Sequence, residues 1–105
     1  MKEKGIQPVI SIPKDKIAEF CHKYHITKLS LFGSVLGENF GPQSDVDVLV
    51  EFEPSHIPGL ALITMQEELS GILGGRKVDL VTPKFLNRRI RRKVESEAVI
   101  QYAQR

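Results

Sequence analysis

The sequence predicts a small α/β or α+β fold, a short sheet covered by helices on at least one face, and three observations carry that reading. Apolar residues switch between helical and strand spacing in the order helix, strand, short helix, strand, helix, strand, helix. The β-type runs are short and bounded by glycine, proline, serine or aspartate, as strands joined by turns are. At 105 residues the chain holds one core and no second domain.

Taken in order, residues 1–10 read as a loose leader, polar through Val9 with Gly5 and Pro8 in it, and residues 11–105 as the single folded domain. Ser11 and Pro13 mark a helix start. Ile17, Phe20, Cys21 and Tyr24 follow at i, i+3, i+4 and i+7, one apolar helical face with Cys21 in the core. His22 and His25 read as the solvated end of that helix, since neither has a second ligand at metal spacing in the sequence. From Ile26 to Phe32 a strand carries Leu29 and Leu31 on one face and Ser30 and Phe32 on the other.

A second strand runs from Val46 to Phe52 and stops at the loop Pro54-Ser-His-Ile-Pro-Gly59, in which His56 reads as a passive loop residue. Leu62, Met65, Leu69, Ile72 and Leu73 then repeat at helical spacing up to Gly74-Gly75. The run from Lys77 to Val81 is a short strand interrupted by Asp79, either an edge residue in water or a functional one. Thr82-Pro83 is expected to cap a last helix whose Leu86, Ile90, Val94 and Ala98 face the core. That helix carries Arg88, Arg89, Arg91, Arg92 and Lys93, read either as a solvated face or as a docking surface for an acidic partner or RNA. No aromatic residues interleave with the arginines, which speaks against RNA.

Composition narrows the function classes. No apolar run approaches the length of about 18 residues needed to span a bilayer, and the first residues lack the apolar core of a secretory signal. The lone Cys21 excludes an internal disulfide and a cysteine-based zinc site, in keeping with a cytoplasmic protein. A formal net charge of +2 is too small to demand a nucleic-acid partner.

The chemistry concentrates in residues 31–52. Gly33-Ser34 leaves the first strand where a glycine lets backbone approach a ligand, a short helix would offer N–H groups to phosphate, and Ser34 would add a hydroxyl. Asp45-x-Asp47 opens the second strand, with both carboxylates on one face and Val46, Val48 and Val50 on the other. Two carboxylates so close repel unless a multivalent cation joins them, and oxygen ligands of this kind suit magnesium completed by substrate phosphates.

Gly33-Ser34, ten residues, then Asp45-x-Asp47 resembles the signature of the DNA polymerase β-type nucleotidyltransferase superfamily, and the short length resembles its minimal members, the MntA-like antitoxins. The resemblance covers nearly the whole chain. It implies a mixed, mainly antiparallel sheet of three or four strands with the carboxylates at one end. It also implies a third carboxylate on the neighbouring strand, for which Asp79 is the candidate, and that the three converge within metal-bridging distance. Asp45, Asp47 and Asp79 would then hold two Mg2+ ions and act as the catalytic residues, while Gly33, Ser34 and Ser44 bind the nucleotide. The implied reaction moves a nucleoside monophosphate, AMP from ATP, to a hydroxyl, with pyrophosphate leaving. The implied acceptor is a protein, an HEPN-type RNase toxin.

One departure stands out. Where many relatives carry Arg-Gly three and four residues after the serine, this chain has Gly37-Glu38, a cation lost and an anion gained. That keeps open an antitoxin acting only by binding its partner. Nucleotidylation of a small molecule is less well served, because such enzymes usually add a second domain for the acceptor.

Overall fold

Residues 10–37, 41, 44–56 and 58–104 are described by the computed structural model. The expected leader falls almost wholly outside them, as does Glu38 of the departure noted above. In chain order the elements are α1 (Lys14–Lys23), β1 (Ile26–Phe32), a 3-10 turn (Gly33–Leu36), β2 (Val46–Phe52), α2 (Ala61–Ile72), β3 (Val78–Val81), a second 3-10 turn (Pro83–Phe85), α3 (Arg88–Glu97) and β4 (Val99–Ala103).

The strands form one sheet in the order β3-β2-β1-β4. β1 pairs antiparallel with both β2 and β4, while β2 and β3 are parallel. The expected mixed, mainly antiparallel sheet is therefore present. The parallel pair needs a crossover, and α2 supplies it.

One face of the sheet is dry. Val46, Val48 and Val50 of β2 are fully buried beside Leu29 and Leu31 of β1 and Val78 and Leu80 of β3. Register explains the match, with Leu29 opposite Val50, Leu31 opposite Val48, and Val48 beside Leu80. A shift of register between Ile26 and Lys28 lets Ile26 join the same core although it lies three residues from Leu29. Helix α1 contributes Ile17, Phe20 and Cys21 to this core and α2 contributes Met65 and Leu69. Burial pushes the Cys21 thiol up to about 12, so it packs as a small apolar side chain.

The helices are tied at their rims. The Tyr24 hydroxyl donates to Glu68 Oε1 at 2.7 Å and Lys23 Nζ donates to the same oxygen at 3.0 Å, joining α1 to α2. The Tyr24 hydrogen bond is the main reason the Glu68 carboxyl lies below its ordinary range. At the edge strand β3, the Leu80 N–H is taken by Gln66 Oε1 of α2 at 2.8 Å, which occupies a donor that an open edge would expose. Gly74 and Gly75 end α2 with φ of 83° and 87°, and the Gly75 N–H returns to the Ser70 carbonyl at 2.8 Å.

The helix start expected at Ser11 and Pro13 is found, with Pro13 as the N-cap and no side-chain bond to it. Three expectations need correction. Thr82-Pro83 opens only the short second 3-10 turn, and the last helix starts at Asn87, whose Oδ1 accepts from the Ile90 N–H at 3.0 Å. More consequentially, α3 buries no residue at all, Ile90 is 48% exposed, and the chain ends in β4, a fourth strand absent from the sequence reading. About three helical turns of apolar spacing do not ensure a core face when α1 and α2 already cover the other side of the sheet. Among the described residues no helix is long and apolar enough to cross a membrane.

Candidate active site

The side of β2 that does not face the core carries Asp47, Leu49 and Glu51, and its partners across the strands follow from register. Asp47 lies opposite Phe32 of β1 and beside Asp79 of β3, one rung for all three. Asp79 sits on an edge strand with its side chain in water and is also the register neighbour of Asp47. Asp45 precedes the strand, and the Val46 N–H that follows is held by the Lys77 carbonyl at 2.8 Å.

Electrostatics ties the three acids together. The Asp47 carboxyl is held above the usual carboxylate range, first because burial disfavours its charge and then because Asp79 and Asp45 are like charges nearby. Lys77 Nζ stands 4.0 Å from Asp45 Oδ2, but it is 80% exposed and offers weak compensation. The three aspartates do not form a group whose ligand oxygens all lie within 4.8 Å of one another. Asp47 and Asp79 share a rung and Asp45 adds its field from just before the strand, at a wider spacing than the expected metal-bridging one.

The donor chemistry of this end fits magnesium. It offers carboxylate oxygens only, half-buried or open to water, and a half-buried acid whose charge is disfavoured by its two neighbours until a cation offsets it. Gly33 has φ of 76°, and a Cβ built on it would collide with the Asp47 carboxylate. The backbone conformation itself favours glycine, and a side chain there would push the Asp47 carboxylate aside.

Ser34 stands next in the four-residue 3-10 turn, exposed, with its carbonyl accepting the Gly37 N–H at 2.9 Å. Val35 of the same turn is fully buried and anchors it to the core. Ser44 is occupied locally: its Oγ accepts the Gly41 N–H at 3.0 Å, and its own N–H returns to the Gly41 carbonyl at 3.0 Å. Arg76 reaches the same Gly41 carbonyl at 3.2 Å. Ser44 therefore shapes the loop entering β2.

The sequence reading set aside one group that the structure assembles. His25, at the end of α1, stacks on His56 of the proline loop with Glu53 beside both. Glu53 was not singled out, and His25 and His56 stand 31 positions apart in the chain, so no local spacing relates them. Only the antiparallel pairing of β1 and β2 brings the start of one strand to the end of the other.

Comparison with known proteins agrees with this geometry. The nucleotidyltransferase domain family matches residues 14–101. The protein adenylyltransferase MntA of Thermococcus cleftensis is 34% identical over 95 residues, 90% of each chain. Among solved structures, a candidate minimal nucleotidyltransferase superposes with a TM-score of 0.69 at 31% identity, covering 82% of this chain and 86% of the other. A toxin–antitoxin complex with AMP-PNP shares the fold at a TM-score of 0.71 and 19% identity, over 90% of this chain and 76% of that one. The resemblance noted from Gly33-Ser34 and Asp45-x-Asp47 extends to the whole fold. The chain belongs to the nucleotidyltransferase domain family, as an MntA-like minimal nucleotidyltransferase.

Proposed function

We propose that this nucleotidyltransferase is a magnesium-dependent protein adenylyltransferase that works in the cytoplasm as the antitoxin of an HEPN-type RNase toxin. The observation that carries the reading is the rung Asp47–Asp79 with Gly33 set against the Asp47 carboxylate, because it joins a cation-seeking acid pair to a backbone cleared of side chain. The adenylyltransferase relative and the nucleotide-containing toxin–antitoxin neighbour support the choice of donor and of acceptor class.

In this reading Asp45, Asp47 and Asp79 hold the magnesium ions, and Gly33, Ser34 and the loop shaped by Ser44 receive the triphosphate. Bound magnesium supplies positive charge at the attacking and leaving oxygens. The acceptor hydroxyl forms a bond to the α-phosphorus of ATP, the bond from that phosphorus to the bridging oxygen breaks, and pyrophosphate leaves. Asp79, open to water on the edge strand, takes the hydroxyl proton. Helix α3 serves docking of the acceptor, with Arg88, Arg89, Arg91, Arg92 and Lys93 steering an acidic partner and the half-exposed Ile90 adding apolar contact.

Mass spectrometry of the partner after incubation with ATP, magnesium and this protein tests the proposal. The expected product is a tyrosine carrying AMP, absent with Asp45→Asn/Asp47→Asn. A partner that stays unmodified yet is inhibited equally by both proteins would favour neutralisation by binding alone, the reading that Gly37-Glu38 keeps open.

A further inference from the structure

We propose that His25, Glu53 and His56 form a second cation site, selective for zinc-type transition metals, at the end of the sheet opposite the aspartates. One ligand atom from each of the three lies within 4.8 Å of the other two. His25 Nδ1 and His56 Nδ1 each stand 3.7 Å from a different oxygen of Glu53, and the two rings stack with centroids 3.6 Å apart and planes inclined by 15°. Ligands about 2.0–2.2 Å from a tetrahedral zinc are spaced roughly 3.4 Å from one another, so the donor atoms are already near ligand spacing, and unstacking of the two rings would turn both nitrogen lone pairs onto one ion. Water completes the shell.

The backbone fixes this group in place. The Glu53 N–H donates to the His25 carbonyl at 2.9 Å, and the His56 N–H donates to the Glu53 carbonyl at 2.9 Å, so each ligand's main chain is bonded to the next. The Ser55 hydroxyl lies 3.0 Å from His56 Nδ1, and a bond there leaves His56 Nε2 as the nitrogen open to an ion. His25 holds φ of 60°, a left-handed conformation that helix ends usually give to glycine or asparagine. Side-chain exposures of 46%, 35% and 41% leave all three open to ions in solution.

The two ends of the sheet then differ in chemistry. Six residues of strand separate Asp47 from Glu53, about 20 Å. The aspartate end offers oxygen only and suits magnesium, whereas two imidazoles and a carboxylate suit zinc, cobalt or nickel. Binding would clip the α1–β1 turn to the loop leaving β2, bracing the fold without touching the reaction.

The test is titration of the chelator-treated full chain with Co2+ followed by visible absorption, then Zn2+ competition and melting. One equivalent of Co2+ with ligand-field bands, displaced by Zn2+ and accompanied by a higher melting temperature, is expected. Asp45→Asn/Asp47→Asn and His22→Ala retain the bands. His56→Ala and His25→Asn, the latter keeping a residue tolerant of the left-handed turn, weaken Co2+ binding by more than the roughly 10–100-fold cost of losing a supporting partner. Bands that survive His56→Ala, that vanish with the aspartate or His22 variants, or that never form would overturn the site and leave a metal-free stack of two imidazoles on a carboxylate.

Discussion

Helices α1 and α3 are both ten residues long and do opposite things. α1 buries Ile17, Phe20 and Cys21, carries Asp15 in its first turn and His22 and Lys23 in its last, and so matches its own dipole. α3 buries nothing, has no acid in its first turn and no base in its last, and places arginines at its positive end and Glu95 and Glu97 toward its negative one. Among the described residues its side-chain bonds are local, the Asn87 cap and the Ser96 hydroxyl donating to the Lys93 carbonyl. A helix kept against its dipole and without a core face contributes little to stability, which fits the docking role proposed for its charges and Ile90. The sheet repeats the contrast, since the side under α1 and α2 is valine and leucine while the other carries Asp47 and Asp79.

The largest effect that sharpens this contrast is in stability. Phe20→Ala should cost about 3–5 kcal/mol in denaturant unfolding, whereas Ile90→Ala should stay within about 0.5 kcal/mol. Equal losses would mean that α3 is part of the core and would break the comparison.

Asp47→Asn probes the other side of the sheet. A carboxyl whose folded pKa is raised contributes stability below its unfolded value, and that contribution is lost as pH rises through the folded value. The cation-free Asn variant should therefore be more stable than the unmutated protein at neutral pH, with the advantage shrinking as pH falls through the raised folded value and gone by about pH 4. It should also lose nucleotidyl transfer. Thermal melting across pH checks the sign, and a destabilised Asn variant would make Asp47 a structural residue.

The smallest effect is expected from Arg88→Glu. An acid at the first position of α3 should add about 0.3–1 kcal/mol to the isolated protein, while association with an acidic partner slows and loses salt dependence. Unfolding and stopped-flow association measure the two halves separately.

Much of this was legible because local pattern and tertiary role agreed. β1, β2 and α2 have periodicity that matches their burial, and Gly33 and Asp47 are brought together by adjacent strand ends. Legibility failed where packing beyond the local segment decides. Leu86, Ile90, Val94 and Ala98 have core spacing, yet the sheet face within their reach is left partly open. In β4, Val99–Ala103, one register shift sits between Leu29 and Ser30 of its partner, and the run was too short and too mixed to be separated from the helix before it. The His25–Glu53–His56 group depends on strand pairing, which spacing along the chain does not encode.

The central claim is that the carboxylate side of β2 moves a nucleotide. It is tested most directly by giving the protein, magnesium and its partner ATP labelled on the α-phosphate or on the γ-phosphate. Label from the α position should remain on the partner and label from the γ position should leave as pyrophosphate, with neither retained when Asp47→Asn replaces the unmutated protein. Retention of the γ label would make the chain a kinase, and inhibition of the partner with no label from either position would contradict transfer altogether.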